Sequence, residues 1–177
     1  MRRPAGGHRY LYWGVTSSQV TVAKESLRFS AAHFLTLAGH VCERLHGHNY
    51  RVAVTVDGPV DPATGFVVDF AVLKRVVRAV IDPLDHRLLV PSENPALRIR
   101  DAEGQTVIDY GRPGWLVAPT EHVCLVPLAQ TTAEVMAGWM AAKVWELLRR
   151  EGNPGLTRLV LELEESAGQS AKAEVST

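Results

Sequence analysis

Alternation of hydrophobic and polar residues predicts two β-strands in the first third of the chain. The first strand is predicted over residues 20–30, and His33 follows on the parity of its inward-facing row. The second strand is predicted over residues 45–58, with the sequence LHGHNYRVAVTVDG. One of its faces carries His46, His48, Tyr50, Val52, Val54 and Val56. The two-residue period of a strand therefore turns these histidines to the same side as a row of apolar residues.

Two later segments repeat their apolar residues with the period of a helix. Asp69 is the expected N-cap of the first helix, which ends before Pro83. Its apolar stripe consists of Leu73, Val76, Val77, Val80 and Ile81. The second helix is predicted over residues 133–150, with Thr131 or Thr132 as its N-cap. Both helices therefore have one apolar side to bury against a sheet.

The remaining segments complete a single domain, residues 1–177. Residues 91–127 contain a predicted β-hairpin, with its turn at residues 102–105, and two short strands in WLVAP and HVCLVPL. A last alternating strand is predicted in residues 156–166, and we expect the small, polar residues 167–177 to be a flexible tail. The order of elements predicts an α+β fold in which the helices cover an antiparallel sheet.

The composition excludes several classes of function. The chain has 177 residues, 46% of them hydrophobic, with 19 basic and 19 acidic side chains. Balanced charge gives no general attraction to nucleic acid or to a membrane surface. No apolar run approaches the length of a membrane span, and the basic N-terminus lacks an apolar signal core. The two cysteines are too few for a disulfide framework, so we expect a cytoplasmic protein with reduced thiols.

The strongest chemical motif is HGH at residues 46–48, with His33 upstream. Histidines at i and i+2 of a strand project from one face, and Gly47 between them permits close backbone approach. His33, from the end of the neighbouring strand, completes a set of three imidazoles. Such a set leaves one tetrahedral position open, as in catalytic zinc sites. An isolated strand histidine is more often a structural residue, but this grouping favours a Zn²⁺ site.

Cys42 lies four residues before His46, and three roles remain open for it. A thiol beside a divalent cation and imidazoles can act as a base or nucleophile. It can also be a fourth ligand that closes a structural zinc site, or a small buried hydrophobic residue. Cys124, flanked by apolar residues, is better explained as part of the core.

Two acidic residues are further candidates. Asp85 precedes His86, and a carboxylate beside an imidazole can orient it and raise its basicity; a surface turn is an equally good explanation. Glu165 shares the parity of the leucines of the last strand, which directs it to the interior, where a carboxylate needs a partner. If the strand has frayed by that point, Glu165 is instead solvated.

Taken together, these residues resemble the 6-pyruvoyl-tetrahydropterin synthase family. The matching segments are FSAAHFL, GHVCERLHGHNYRV, DPATGFVVDFAVLK, PLDHRLL, QTTAEVMAGWM and LELEES. They occur in the family's order, and the short spacing in CERLHGH is most similar to the bacterial 6-carboxy-tetrahydropterin synthases of queuosine and deazapurine biosynthesis. Residues 1–19 are an N-terminal extension, and residues 91–127 are an insertion between two matching segments.

The resemblance implies a role for each candidate residue. It makes His33, His46 and His48 the zinc ligands and Cys42 the general base. Asp85 and His86 become a second proton relay, while Thr131, Thr132 and Glu165 bind the pterin ring. It also implies the tunnelling fold, with a four-stranded antiparallel sheet and two helices on one face, assembled into a homohexamer as a dimer of trimers. Cys42 and the Asp85–His86 pair then come from different chains.

The activity that the resemblance implies is that of a zinc-dependent lyase. The substrate is 7,8-dihydroneopterin triphosphate, and the products are 6-carboxy-5,6,7,8-tetrahydropterin, acetaldehyde and triphosphate. One alternative is a 6-pyruvoyl-tetrahydropterin synthase that stops after triphosphate elimination. Another is a non-catalytic member that binds zinc and a pterin; retention of Cys42, Asp85, His86 and Glu165 argues against it.

Overall fold

Ten strands and two helices make up the part of the chain that the computed structural model describes, residues 14–22 and 27–177. The strands are β1 (Ser17–Val22), β2 (Arg28–His33), β3 (His46–Pro59), β4 (Arg87–Pro91), β5 (Arg98–Ala102), β6 (Gln105–Asp109), β7 (Leu116–Pro119), β8 (Val123–Val126), β9 (Arg158–Ser166) and β10 (Gln169–Ser176). The helices are α1 (Phe70–Ile81) and α2 (Ala133–Arg150). The α+β class predicted from the sequence is confirmed.

Both helices pack against one face of the main sheet, because a single apolar cluster joins their buried residues to the inward rows of β3 and β9. The side chain of Asp69 caps α1 by accepting a hydrogen bond from the Ala71 amide, and all five residues of the predicted stripe are buried. Thr132 caps α2 in the same way through the Val135 amide. Within the described residues, neither helix combines the length and the apolar character needed to cross a membrane.

The main sheet has seven strands and is mixed, so it is larger than the predicted four-stranded antiparallel sheet. The antiparallel part is present, in the order β10–β9–β3–β2, with β1 also paired to β3. The strands β4 and β8 then extend it in parallel beyond β2. The sequence did not indicate β4 because its core residues, Leu88 to Val90, are a continuous apolar run without alternation.

The single strand predicted over residues 20–30 is two strands in the structure. Val22 of β1 opposes Val54, and Arg28 of β2 opposes Arg51, so β1 and β2 pair with two different stretches of β3. Residues 23–26 lie outside the described part, as do residues 1–13 of the predicted extension. Because β1 begins at Ser17, the last residues of that extension belong to the sheet.

The predicted flexible tail is also a strand. After a turn at Gly168, which has a φ of 79°, β10 pairs with β9 from Gln169 to Ser176. Ala171, Ala173 and Val175 alternate towards the main apolar cluster. Their small side chains give a weak alternation signal, which is why the sequence pattern suggested a loose tail.

The inserted region forms a small second sheet in the order β5–β6–β7, and its last strand, β8, joins the main sheet. The predicted hairpin is confirmed: β5 and β6 meet at a turn in which Glu103 and Gly104 have positive φ angles. A separate apolar cluster lies beneath this sheet and includes Phe34, Leu88, Val90 and Ile108. The insertion therefore packs against the residue that follows His33.

Candidate metal centre and active site

Three imidazoles meet where β2 and β3 pair at the end of the sheet. His33 is directly opposite His46 in the antiparallel ladder, and His48 lies two residues further along β3. One ring nitrogen from each residue lies within 4.8 Å of the others, and the three could hold a metal ion. A Cβ on Gly47 would lie 3.2 Å from the Ala31 carbonyl oxygen, so the absence of a side chain permits this close pairing. The predicted grouping of the three histidines is confirmed.

The Nδ1 atoms of two imidazoles are occupied by backbone carbonyls. His33 Nδ1 lies 3.0 Å from the Thr131 carbonyl oxygen, and His46 Nδ1 lies 2.7 Å from that of Arg44. A carbonyl only accepts, so Nδ1 donates and Nε2 retains its lone pair. His48 Nδ1 contacts the Ser166 hydroxyl at 3.4 Å. This arrangement, in which outer groups orient the rings, is typical of metal-binding histidines.

The Nε2 atoms of His33 and His48 are buried without a hydrogen-bond partner among the described residues. Glu165 Oε1 lies 3.5 Å from the first and 3.6 Å from the second, beyond normal hydrogen-bond distance. Leaving a buried polar atom unsatisfied costs on the order of 1–3 kcal/mol, so each such atom needs an explanation. Coordination of a cation supplies one, and the donor set fits a metal ion.

Burial keeps His33 in the form that a metal requires. Desolvation, with a smaller contribution from the neighbouring His46, lowers the pKa of His33 to about 4. Desolvation also lowers the pKa of His48, although the nearby Glu165 carboxylate acts in the opposite direction. At neutral pH no proton has to be displaced from His33 before it coordinates.

A cavity of about 390 Å³ opens beside the imidazoles. Its walls include Cys42, Thr132 and Glu165, together with His33 and His46. Cys42 belongs to a 3₁₀ turn, Val41–Glu43, in the loop between β2 and β3. Among the described residues, the group of side chains that could hold a metal ion consists of the three histidines and does not include Cys42.

Glu165 faces the cavity, as strand parity predicts. Tyr50, fully buried on the inner face of β3, donates from its hydroxyl to Glu165 Oε1 at 3.3 Å. Burial and the Glu165 carboxylate both raise the pKa of Tyr50, so its hydroxyl remains a donor. Glu164 points to the opposite face, but it is only 9% exposed and lies 3.6 Å from Arg51.

A family model described as 6-pyruvoyl tetrahydropterin synthase matches residues 21–175 of the chain. The chain belongs to the 6-pyruvoyl tetrahydropterin synthase family. The inferred resemblance is thereby confirmed, and the match includes the three histidines, Cys42 and Glu165.

Relatives support both the family and the fold. A protein of Methanocaldococcus jannaschii, provisionally named as a 6-carboxy-5,6,7,8-tetrahydropterin synthase, is 32% identical over 146 residues, which are 82% of this chain and 88% of the relative. The human 6-pyruvoyl tetrahydrobiopterin synthase is 56% identical over 45 residues, covering 25% and 31% of the two chains. The 6-pyruvoyl tetrahydropterin synthase structure of Plasmodium falciparum superimposes with a TM-score of 0.82 at 26% identity, over 92% of this chain and 99% of the other. The predicted tunnelling fold is confirmed.

In this family member, Asp85 and His86 lie apart from the Cys42 cavity. The backbone at His86 has a φ of 56°, which turns the two side chains together at 3.0 Å (Asp85 Oδ2 to His86 Nδ1). Asp85 also accepts a hydrogen bond from the Ser30 amide, and chiefly for that reason its pKa is lowered. The pair borders a cavity lined by Arg28 and Arg51 on the outer face of the sheet. The pairing of Asp85 with His86 is confirmed, but within one chain it does not share the cavity of Cys42.

The two threonines expected to bind the pterin have different positions. Thr131 is fully buried, and its carbonyl and hydroxyl contact His33 rather than lining the cavity; Thr132 does line it.

Other residues of the site were not singled out from the sequence. Tyr50 continues the row of His46 and His48, a signal that indicates its position but not its bond to Glu165. The cavity is further bordered by Glu134, Gly168, Gln169 and Ser170. The last three lie at the turn into β10, the element that the sequence pattern does not indicate.

Proposed function

We propose that this protein is a zinc-dependent lyase that converts 7,8-dihydroneopterin triphosphate and water to 6-carboxy-5,6,7,8-tetrahydropterin, acetaldehyde and triphosphate. The observation that carries the proposal is the convergence of three imidazoles beside a cavity that also holds Cys42 and Glu165. The names of the archaeal relatives favour the carboxy-type product.

His33, His46 and His48 would hold the ion. Zinc held there would supply Lewis acidity, which would make a C–H bond beside a substrate hydroxyl more acidic. Cys42, on the cavity wall, takes that proton as the general base. Glu165 and Thr132 border the same cavity, and the Glu165 carboxylate accepts hydrogen bonds from the amino-pyrimidinone edge of the pterin. Thr131 acts through His33, which it orients.

Asp85 and His86 enter the site from a neighbouring subunit in this proposal. Within one chain they border a different cavity from Cys42, and the His86 side chain is 82% exposed. A second copy, in a homohexamer built as a dimer of trimers, brings the exposed imidazole to the substrate side chain. There His86 exchanges a proton, while Asp85 holds its Nδ1 in place.

The test is mass spectrometry of the products formed from 7,8-dihydroneopterin triphosphate by zinc-loaded protein. We expect 6-carboxy-5,6,7,8-tetrahydropterin together with acetaldehyde, and no turnover by the Cys42→Ala variant with its zinc retained. A 6-pyruvoyl product without acetaldehyde would instead show that this protein is a 6-pyruvoyl-tetrahydropterin synthase, which stops after triphosphate elimination. Binding of a pterin without formation of any product would instead support the alternative of a non-catalytic member that binds zinc and a pterin.

A further inference from the structure

The loop that carries Cys42 is exposed and has few connections to the rest of the protein. The side chains of Leu37, Val41 and Leu45 are 44%, 71% and 50% exposed, so burial contributes little to fixing the loop. The Cys42 carbonyl accepts a hydrogen bond from Leu35 at its base, at 2.9 Å. Precise placement of the thiol therefore depends on polar contacts.

Glu43, the residue after Cys42, organises the loop from within. One carboxylate oxygen accepts a hydrogen bond from the Gly39 amide at 3.1 Å. The Glu43 amide donates to the His40 carbonyl at 3.0 Å, and the His40 ring accepts from the Cys42 amide at 3.2 Å. The Glu43 side chain is thus joined to the same small network that holds the backbone of Cys42.

The other oxygen of Glu43 is held by the insertion. Tyr110, just beyond β6, donates from its hydroxyl to Glu43 Oε1 at 2.6 Å. In the described structure, residues 37–45 receive one hydrogen bond from a side chain outside residues 35–46, and Tyr110 provides it. This bond lowers the pKa of Glu43 and raises that of Tyr110, as expected for a donor paired with a carboxylate.

The Tyr110 ring is itself linked through Trp115 to the residue that follows β2. Its centroid lies 5.5 Å from that of Trp115, and Trp115 packs edge-on against Phe34 at 4.7 Å. Phe34 is fully buried and follows His33 directly. A continuous chain of contacts therefore runs from the residue beside a candidate metal ligand, through the insertion, to the residue beside Cys42.

We infer that Tyr110 is a positioning residue, through which the insertion holds the Cys42 loop in register with the three histidines. Tyr110 does not border the cavity and touches no reacting atom; it acts through Glu43. The inference rests on the proposed function, in which Cys42 is the general base. It also gives residues 91–127 a role beyond extending the sheet.

The test is the Tyr110→Phe variant, which keeps the ring against Trp115 and removes the hydroxyl. We expect kcat to fall by roughly ten- to a hundredfold, because a displaced general base is less often in the geometry that proton transfer requires. The KM and the zinc content should stay unchanged, because Tyr110 borders neither the cavity nor the ion. Two readouts need no turnover: Cys42 should be alkylated faster by iodoacetamide, and the Glu43 carboxyl should titrate at higher pH by NMR.

Two controls separate positioning from stability. Thr120→Val removes hydrogen bonds to Asp101 and Thr106 within the insertion, away from the loop, and should leave kcat unchanged. In the Glu43→Ala background, adding Tyr110→Phe should have no further effect, because the bond is already absent. Additive losses in that cycle, or unaltered Cys42 alkylation in Tyr110→Phe, would overturn the inference. If the wild type has no activity on the pterin but alkylation and the Glu43 titration change as expected, the proposed function fails and the positioning contact stands.

Discussion

The three imidazoles of the site use their two ring nitrogens for different purposes. The Nδ1 atoms of His33 and His46 are held by backbone carbonyls, which fixes the orientation and tautomer of each ring. The Nε2 atoms of His33 and His48 are buried and find no hydrogen-bond partner in the described part of the chain. Buried nitrogens without hydrogen-bond partners are explained when a ligand binds them, so this observation by itself supports a metal ion at this position.

The first prediction concerns zinc content. His48→Ala removes one of three ligands and should lower bound zinc well below the roughly one ion per chain expected of the wild type, because fewer ligands weaken coordination. His122→Ala is the matched control, since His122 lies in the insertion and outside the cluster. Metal analysis after dialysis measures both variants, and full retention of zinc by His48→Ala would remove His48 from the site.

The adjacent glutamates of β9 provide a second prediction. Glu165→Gln should weaken substrate binding by about 1.5–3 kcal/mol, the range for hydrogen bonds to charged groups. Glu164→Gln should leave substrate binding unchanged, although loss of charge beside Arg51 should lower stability by up to about 1 kcal/mol. Substrate titration and urea unfolding of the two zinc-loaded variants separate these effects. Weaker binding in Glu164→Gln alone would contradict the assignment of Glu165 and place substrate binding on the opposite face of β9.

At the scale of elements, the sequence predicts what strong periodicity encodes. The length and the buried stripe of α1 follow from its 3.6-residue period, and the row of β3 follows from strict alternation. The parity of that row also places His46 and His48 on one side, and the parity of β9 turns Glu165 towards the interior. In contrast, β4 is an uninterrupted apolar run, and β10 alternates only through alanines and one valine. Neither pattern separates a strand from a loop without the neighbouring strand that pairs with it.

Contacts between distant segments are the part of the site that periodicity does not encode. The bond between Tyr110 and Glu43 joins residues 67 positions apart, and that between Tyr50 and Glu165 joins residues 115 apart. Each depends on how two elements pack, which the periodicity of residues within one element does not specify. The turn at His86, with its positive φ, is likewise a local exception, because residues other than glycine adopt this conformation only rarely.

A third prediction tests β10. Ending the chain after residue 167 removes eight residues paired with β9 and exposes the leucines beside them. We expect the truncated protein to lose at least about 2–3 kcal/mol of unfolding free energy, because several half-buried apolar side chains are removed and neighbouring core surface is exposed. The urea midpoint should fall accordingly. A truncated protein with unchanged stability would restore the view that these residues are a flexible tail.

On the scale of the whole molecule, the candidate catalytic residues of one chain lie in two places. Cys42, Thr132 and Glu165 border the cavity beside the histidines, whereas Asp85 and His86 border another on the outer face of the sheet. If all of them serve one reaction, a chain is incomplete alone. Catalysis then requires the assembly of several copies, because an interface between subunits brings the two sets of residues together.

The last prediction follows from that division. Cys42→Ala and His86→Ala chains should each be inactive alone, yet their co-expressed mixture should recover activity, because a site between chains can take Cys42 from one variant and His86 from the other. Random assembly of equal amounts gives about a quarter of the sites both intact residues, so about a quarter of wild-type activity is expected. Cys42→Ala mixed with His46→Ala is the matched control: loss of a metal ligand should also abolish turnover, and both residues border one chain's cavity, so no site regains both. If the first mixture stays as inactive as the control, the Asp85–His86 pair does not act across subunits.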